Sequence, residues 1–296
     1  MAICFDCPRR CGIDRSTARG RCKAPEGFLV ARASLHMWEE PPISGTRGSG
    51  TIFFGGCNLG CVYCQNRAIR DGQLGELLTP TDLERTALTL AEAGAHNINL
   101  VTPSHYIRAL LPVLERIRTQ LSIPIVWNSS AYESIDLLRR LDGLVDVYLP
   151  DFKYATGELA ARYSSAPDYP EVAAAAIGEM LRQRGAPRFD NDGMIQSGVI
   201  VRHLVLPSHR GESIAVVERL AELAPPKEMR LSLMSQYTPD FVDGERFPAL
   251  ARRVTSFEYQ SVLDRAVALG FDGYFQNRTS ASAAFTPDFE GKDSHE

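Results

Sequence analysis

Three cysteines on one glycine-flanked loop constrain the fold of this chain more than any other feature of its sequence. Cys57, Cys61 and Cys64 are spaced C-x3-C-x2-C and follow the apolar run Thr51-Ile52-Phe53-Phe54. That run has the length and the β-branched and aromatic content of a buried strand, and the two glycines after it mark its end. Barrels and open α/β sheets carry their chemistry at the C-terminal ends of strands. We therefore predict that the three thiols lie on a loop at such a strand end.

The number of thiols on this loop indicates which kind of centre they form. A structural zinc site needs four ligands, and each iron of a four-iron cluster needs one. Three cysteines can hold three corners of such a cluster and leave the fourth iron open to a substrate. The alternative is that the cysteines pack as small apolar side chains, which their clustering on one loop disfavours.

A second group of cysteines, Cys4, Cys7, Cys11 and Cys22, has the spacing C-x2-C-x3-C-x10-C. Arginine and lysine residues interleave with them, and nearby cations lower the pKa of a thiol and offset the charge of its thiolate. We interpret the group as a second, closed metal centre, either zinc or an iron–sulfur cluster, because the spacing suits both. Free surface thiols and a nucleic-acid-binding zinc ribbon are the alternatives, and the acidic chain beyond disfavours the ribbon.

The composition of the chain indicates which classes of partner and which cellular compartment to expect. The 296 residues carry 32 basic and 36 acidic side chains, a net charge of −4. The chain therefore lacks the excess of positive charge that is typical of proteins that bind nucleic acid or an anionic membrane. No apolar run approaches the roughly 20 residues that span a bilayer, and the N-terminus lacks the order of a signal peptide. All seven cysteines fall within the first 64 residues, too clustered and odd in number for a secreted disulfide scaffold. We expect a cytoplasmic protein with metal-binding thiols and with no nucleic-acid or membrane partner.

From residue 51 onward, strand-like apolar runs alternate with helical periodicity. Thr79 followed by Pro80 is typical of a helix start, and Gly94 of a helix end. The alternation predicts an α/β fold with a parallel sheet, and about six repeats predict a partial TIM-type (β/α)6 barrel. The predicted strands are 51–56, 97–102, 123–128, 145–150, 198–206, 230–235 and 272–276. The predicted helices are 80–93, 104–120, 133–141, 168–184, 212–223 and 256–269.

These patterns divide the chain into three parts. Residues 1–50 form a Cys-rich metal-binding segment with its connector, residues 51–278 the barrel, and residues 279–296 a polar C-terminal tail. The glycines near the end of the connector precede a strand, whereas the glycine loop of a dinucleotide site follows one. We therefore predict that the connector, residues 25–50, only leads the chain into the first barrel strand, and that the tail is loose.

The cysteine loop, with Tyr63 before its last cysteine, resembles the C-x3-C-x-aromatic-C signature of the radical S-adenosylmethionine (SAM) superfamily. The resemblance implies a 4Fe–4S cluster on Cys57, Cys61 and Cys64, whose open iron binds the amino and carboxylate groups of SAM. It implies further that an electron from the cluster cleaves SAM to methionine and a 5′-deoxyadenosyl radical, which abstracts a hydrogen atom. Tyr63 and Asn66 are then expected near the adenine of SAM.

Polar residues at the ends of the predicted strands offer further partners for SAM. Residues at strand C-termini of a barrel face one cleft, and SAM presents an amino group, a carboxylate, a ribose diol and an adenine. For His203, which alternates with apolar residues, a hydrogen-bonded core histidine is the alternative. For Glu39 and Glu40, simple solvation and a further role stay open as alternatives. The predicted contact residues are Thr102, Asn128, Ser129, Ser130, Asp151, Lys153, His203 and Gln236.

A longer set of motifs is similar to the pyruvate formate-lyase activating enzymes, and most of all to an uncharacterised branch of such proteins with an N-terminal cysteine cluster. The similarity covers most of residues 4–278. Besides the cysteine loop, it rests on Cys4-x-x-Cys7-Pro8-Arg9-x-Cys11-Gly12, on Trp38-Glu39-Glu40-Pro41, and on segments 48–54, 97–103, 148–153, 201–207 and 233–237.

The similarity also assigns residues around SAM. In the activating enzymes, an Asp-x-Lys after the fourth strand lies around SAM and corresponds here to Asp151 and Lys153. Their Thr-Asn-Gly segment corresponds to residues 128–130, and their histidine after the sixth strand to Gln236. Their Gly-Gly-Glu-Pro motif, which orients the SAM amino group, is replaced here by a segment without an acidic residue, and we assign its contact to Thr102.

The activity implied by the similarity is activation of a glycyl radical enzyme, a partner protein whose glycine-bearing loop enters the cleft. Such a reaction needs an electron donor such as flavodoxin or ferredoxin. Two alternatives stay open, a radical SAM enzyme that modifies a small molecule or another protein side chain, and a non-catalytic protein with metal only at Cys4–Cys22. Because the cofactor supplies the radical, we assign no catalytic acid or base.

Overall fold

The computed structural model describes residues 3–276 together with Phe289. At its N-terminus, β1 (Ile3–Cys4) and β2 (Ile13–Asp14) form a short antiparallel ribbon. The backbone N–H of Gly12 donates to the carbonyl of Cys4 at 3.0 Å. The chain therefore folds back on itself at once, which places the first three cysteines in one small loop.

An antiparallel strand precedes the parallel sheet. β3 (Phe28–His36) pairs antiparallel with β4 (Ser49–Phe54) on one side and with β5 (Glu76–Leu78) on the other. Helix α1 (Pro41–Ser44) connects β3 to β4, and α2 (Arg67–Arg70) follows the cysteine loop. The predicted connector thus contains a nine-residue strand, which supplies backbone partners to an edge of β4 that would otherwise be unpaired.

Within residues 3–276, seven strands run parallel and neighbour one another in chain order. This confirms the predicted fold class, an α/β sheet of the partial TIM-type barrel kind. In this part of the chain the sheet ends at β5 on one side and at its last strand, β12 (Gly273–Phe275), on the other, so it is open. The strands after β5 are β6 (Ile98–Val101), β7 (Ile125–Ser129), β8 (Val147–Pro150), the short antiparallel β9 (Arg188–Phe189), β10 (Ile195–Leu204), β11 (Arg230–Met234) and β12 (Gly273–Phe275).

Helices lie where the periodicity predicts them. The Thr79 side chain accepts from the backbone N–H of Asp82, whose carboxylate in turn accepts from the N–H of Thr79, so the predicted helix start is a capping box. These helices are α3 (Pro80–Glu92), α4 (Ile107–Arg118), α5 (Ile135–Arg139), α7 (Tyr169–Arg184), α8 (Arg210–Leu223) and α9 (Ser256–Ala268). The structure adds α6 (Gly157–Ser164), which is too short for its periodicity to stand out, and 3-10 turns at Ser104–Tyr106, Pro226–Glu228, Pro239–Phe241 and Pro248–Leu250.

Buried tyrosines behind the strand ends connect the core to the edge of the sheet. The Tyr169 hydroxyl lies 2.9 Å from the carbonyl of Ser130 and 2.8 Å from that of Asp151, and it accepts from the N–H of Lys153 at 3.0 Å. Burying an aromatic side chain of this kind stabilises the fold by about 1.5–3 kcal/mol. The same residue therefore holds the ends of β7 and β8 in fixed relative positions.

The predicted tail, residues 279–296, lies outside the described residues except for Phe289. The ring of Phe289 packs edge-on against that of Phe53, with 5.4 Å between centroids. Among the helices described, none combines the length and the apolar character that crossing a bilayer requires.

Candidate active site

A cavity of about 320 Å³ lies where the parallel strands end. Its volume is within the range of small-molecule sites. The structure brings most of the predicted site residues together on its wall, because parallel strands present their carboxyl ends at one edge. These residues are Cys57, Cys61, Tyr63, Cys64, Asn66, Thr102, Asn128, Ser129, Ser130, Asp151, Lys153 and Gln236.

The cysteine loop is held by distant backbone segments. The N–H of Cys57 donates to the carbonyl of Cys22 at 3.1 Å, and the N–H of Val62 donates to the carbonyl of Tyr163 at 2.9 Å. Gly56, just before the first cysteine, has a φ of +88°, a conformation that glycine adopts at little cost. The loop is thus fixed between the N-terminal segment and the end of α6.

The surroundings of the thiols fit an iron–sulfur cluster. Burial raises the pKa of Cys64 to about 12, reinforced by Cys61 and Cys57 and opposed by Arg70. Coordination to a metal deprotonates a thiol and removes this penalty. Because a four-iron cluster binds each cysteine at a different iron, the three sulfurs need only line one space, as they do here. The donor set suits a 4Fe–4S cluster with one iron left for another ligand.

Asp151 and Lys153 belong to a buried ionic network. The Lys153 ammonium donates to Oδ2 of Asp151 at 2.6 Å, and Nε of Arg202 donates to Oδ1 at 3.0 Å. Arg202 also lies 3.3 Å from the Glu39 carboxylate and donates to Oδ1 of Asn128 at 2.5 Å. Burial opposes the charged form of Asp151, but Lys153 and Arg202 outweigh it and lower the pKa. The pair is therefore not the exposed i,i+2 arrangement that short spacing alone would allow.

Glu39 and Glu40 line the cavity, which the sequence analysis did not predict. Strand β3 is antiparallel to β4 and ends with His36 opposite Ser49, the first residue of β4. The chain after β3 therefore starts from the amino edge of the parallel strands, opposite the cysteine loop. From there its two carboxylates form a floor to the cavity.

The floor is anchored by amides and one guanidinium. Oε1 of Glu39 accepts from the side-chain amides of Asn99 at 3.1 Å and Asn128 at 3.2 Å. Burial raises the pKa of both glutamates, and Arg202 opposes this effect. An arginine inside an apolar strand needs a carboxylate partner, so Arg202 is the sequence signal that could have pointed to these acids.

Of the predicted contact residues, His203 is not brought to the cavity. Its neighbour Arg202 lines the wall instead, because successive strand residues point to opposite faces. Nδ1 of His203 lies 2.7 Å from the carbonyl of Phe152, which is the arrangement of a hydrogen-bonded core histidine.

Acidification is expected to destabilise the fold through His203. Burial lowers its pKa to about 4, with the Phe152 carbonyl opposing, so the unfolded chain binds a proton near pH 6.5 and the folded chain only near pH 4. The stability present above pH 6.5 is lost as the pH falls towards 4, by on the order of 3 kcal/mol. Urea unfolding of the iron-free chain across this range measures the loss. His203→Asn, which keeps a donor for Phe152, should show a smaller loss, and an unchanged loss would contradict the assignment.

Three other predicted contacts have distinctive local geometry. Thr102 has a φ of +59°, a strained conformation for a β-branched residue that is most common at functional sites. The hydroxyl of Tyr63 lies 2.7 Å from that of Tyr154. The Gln236 side chain accepts from the amide of Gln276 at 3.1 Å.

The N-terminal cysteines lie against the cysteine loop. Cys4, Cys7 and Cys22 are buried and Cys11 is partly exposed. Burial raises the pKa of Cys7 to about 12, and the other three thiols add to the effect, so the four lie within electrostatic range of one another. Across residues 3–276 and Phe289, no group of three His, Cys, Asp or Glu side chains is arranged around a single metal ion.

Comparisons with known proteins agree with this geometry. Residues 51–195 match the family described as the radical SAM superfamily. An uncharacterized protein of Methanocaldococcus jannaschii, MJ0674, is 28% identical over 279 residues, covering 91% of this chain and 75% of that protein. The structure of methylornithine synthase is similar with a TM-score of 0.51 at 16% identity, over 73% of this chain and 63% of that one.

A domain of pyruvate-formate lyase-activating enzyme from Bacteroides vulgatus has a TM-score of 0.43 at 12% identity, covering 58% of this chain and 92% of that one. The family match begins in the strand before the three cysteines and covers the ends of β4, β6, β7 and β8, which line the cavity. The superfamily implies SAM and a 4Fe–4S cluster, and residues 51–195 of this chain are a radical SAM domain.

Proposed function

We propose that Cys57, Cys61 and Cys64 hold the 4Fe–4S cluster and that the cavity beside them binds SAM for reductive cleavage. The observation that carries this proposal is that the cysteine loop and the polar strand ends line one cavity. When bound, the cluster supplies the electron that cleaves SAM. The protein positions SAM and excludes water.

Different residues of the cavity wall bind the different functional groups of SAM. Lys153, whose ammonium is buried beside the loop, offers a cation to the carboxylate of SAM. Asn128, Ser129 and Ser130 offer hydrogen-bonding groups to its amino group and ribose, with Thr102 beside them. The ring of Tyr63, with Asn66 and Gln236, offers a surface for the adenine.

For the substrate, we propose a glycyl radical enzyme, with flavodoxin or ferredoxin as electron donor. The motifs between residues 97 and 237 that are similar to the activating enzymes support this choice. A second candidate, a small molecule or another protein side chain, is favoured by the floor at Glu39 and Glu40, because a glycine backbone does not require buried carboxylates. A glycyl EPR signal on a glycyl radical enzyme incubated with this protein supports the first candidate. Cleavage of SAM without that signal supports the second.

We propose further that the N-terminal cysteines form a second metal centre, with zinc or an iron–sulfur cluster. Their mutual proximity supports it, as does Arg15, which donates to the sulfur of Cys4 at 3.1 Å. A thiol-rich protein with all seven cysteines free suits a reducing compartment, so we propose a cytoplasmic location.

The wild-type protein, reconstituted anaerobically with iron and sulfide and reduced with dithionite, is expected to convert SAM to 5′-deoxyadenosine. A Cys57/Cys61/Cys64→Ala variant should fall to the background rate, because no cluster is left to deliver the electron. Chromatography of 5′-deoxyadenosine measures the reaction, with iron and zinc counted in both proteins.

A Cys4/Cys7/Cys11→Ala variant is the matched control, since it also removes three thiols. It should retain the cluster at the cavity, and its loss of zinc or of part of the iron identifies the second centre. A wild-type protein that carries a full, reducible cluster and yet forms no 5′-deoxyadenosine would contradict the proposed reaction and leave a metal-binding role.

A further inference from the structure

A chain of buried hydroxyl groups leads to the sulfur of Cys61. The Ser164 hydroxyl donates to Sγ of Cys61 at 2.9 Å. Oη of Tyr154 lies 2.7 Å from Oγ of Ser164, and Oη of Tyr63 lies 2.7 Å from Oη of Tyr154. All four residues are at most 7% exposed, so water does not compete for these bonds.

The hydrogen bonds in this series all point in the same direction, towards Cys61. A serine hydroxyl has a single proton, and that of Ser164 is used on the sulfur. Ser164 must therefore accept from Tyr154, and Tyr154 must accept from Tyr63. Hydrogen bonds arranged head to tail polarise one another, more so at low dielectric, so the two tyrosines strengthen the bond to Cys61.

The fold holds Ser164 in place for this contact. Ser164 is the last residue of α6, and Ser165 after it has a φ of +51°, which turns the chain away. The carbonyl of Ser164 accepts from Arg9 at 3.1 Å. For comparison, Sγ of Cys57 receives a backbone N–H, that of Leu59, at a longer 3.4 Å.

We propose that Ser164 is a positioning residue that raises the reduction potential of the cluster through its hydrogen bond to Cys61. This inference rests on the proposed function, which places the cluster on that sulfur. Reduction adds one electron and no bond changes. The added negative charge spreads onto the thiolates, so a donor at the sulfur stabilises the reduced cluster more than the oxidised one.

The test is an anaerobic redox titration of the reconstituted protein with dithionite, followed by the EPR signal of the reduced cluster. Ser164→Ala should shift the midpoint potential to a more negative value. Tyr154→Phe, which keeps the serine but removes its donor, should shift it in the same direction by less. Ser164→Thr keeps the hydroxyl and should restore the potential towards that of the wild type.

Ser213→Ala is the matched control, because Ser213 is an equally buried serine on a helix. The midpoint potential of the cluster in this variant should equal that of the wild type. The inference is overturned if the Ser164→Ala variant keeps its iron and the midpoint potential of its cluster equals that of the wild type. It is also overturned if Ser213→Ala shifts the midpoint potential as much as Ser164→Ala does. If Ser164→Ala loses its iron, the midpoint potential of Tyr154→Phe is compared with that of the wild type. A more negative value supports the inference, and an equal value overturns it. A wild type without a reducible cluster would instead contradict the proposed function.

Discussion

Replacing Arg202 by methionine is expected to lower the free energy of unfolding by about 3–5 kcal/mol. The side chain is 16% exposed and lies between Asp151 and Glu39, which are 16% and 9% exposed. Removing the guanidinium leaves these carboxylates, and Glu40 beside them, with Lys153 as the remaining cation of the network. Breaking one partner out of a buried ion pair costs more than the pair contributes, because the remaining charges stay desolvated. Urea unfolding of the iron-free chain measures the change.

Arg116→Met is the matched control for this experiment. Arg116 pairs with Glu84 at 2.7 Å, but its side chain is 44% exposed, so its removal should cost less than about 1 kcal/mol. Adding Glu39→Gln to Arg202→Met should recover part of the lost stability, because it removes one uncompensated charge. Equal effects of Arg202→Met and Arg116→Met would show that the network is solvated.

Gly56→Ala is expected to abolish the tight contact between the cysteine loop and the N-terminal segment. A Cβ on Gly56 would lie 2.4 Å from the carbonyl oxygen of Cys22, and that carbonyl is the acceptor for the N–H of Cys57. One of the two segments must move, in addition to the roughly 1–2 kcal/mol that a left-handed conformation costs a residue with a side chain. We expect iron retention after reconstitution to fall several-fold, together with the midpoint of unfolding in urea.

Gly143→Ala separates the contact from the backbone strain. Gly143 has a similar φ of +85°, but nothing lies within 4 Å of a Cβ placed there. This variant should lose only the stability that the conformation costs and should keep its iron. If the two alanine variants retain iron equally and unfold at the same urea concentration, the segment around Cys22 moves without cost and does not hold the cysteine loop.

Much of the architecture follows from local patterns in the sequence. Strand runs, helical periodicity and the capping box at Thr79 depend on neighbouring residues, and they predict the parallel sheet. The same logic predicts that Cys57, Asn128 and Asp151 meet in one cavity, since parallel strands end at a common edge.

The sequence alone predicted a metal-binding role for the cysteine loop and determined the class of fold around it, because spacing and periodicity are local properties. Only the tertiary structure decided which charges face the cavity. Glu39 reaches Arg202 across 163 residues of chain, and Ser164 reaches Cys61 across 103. Such contacts depend on how β3 turns back at the amino edge and on which face of β10 points inward, and a shift of one residue along a strand exchanges those faces.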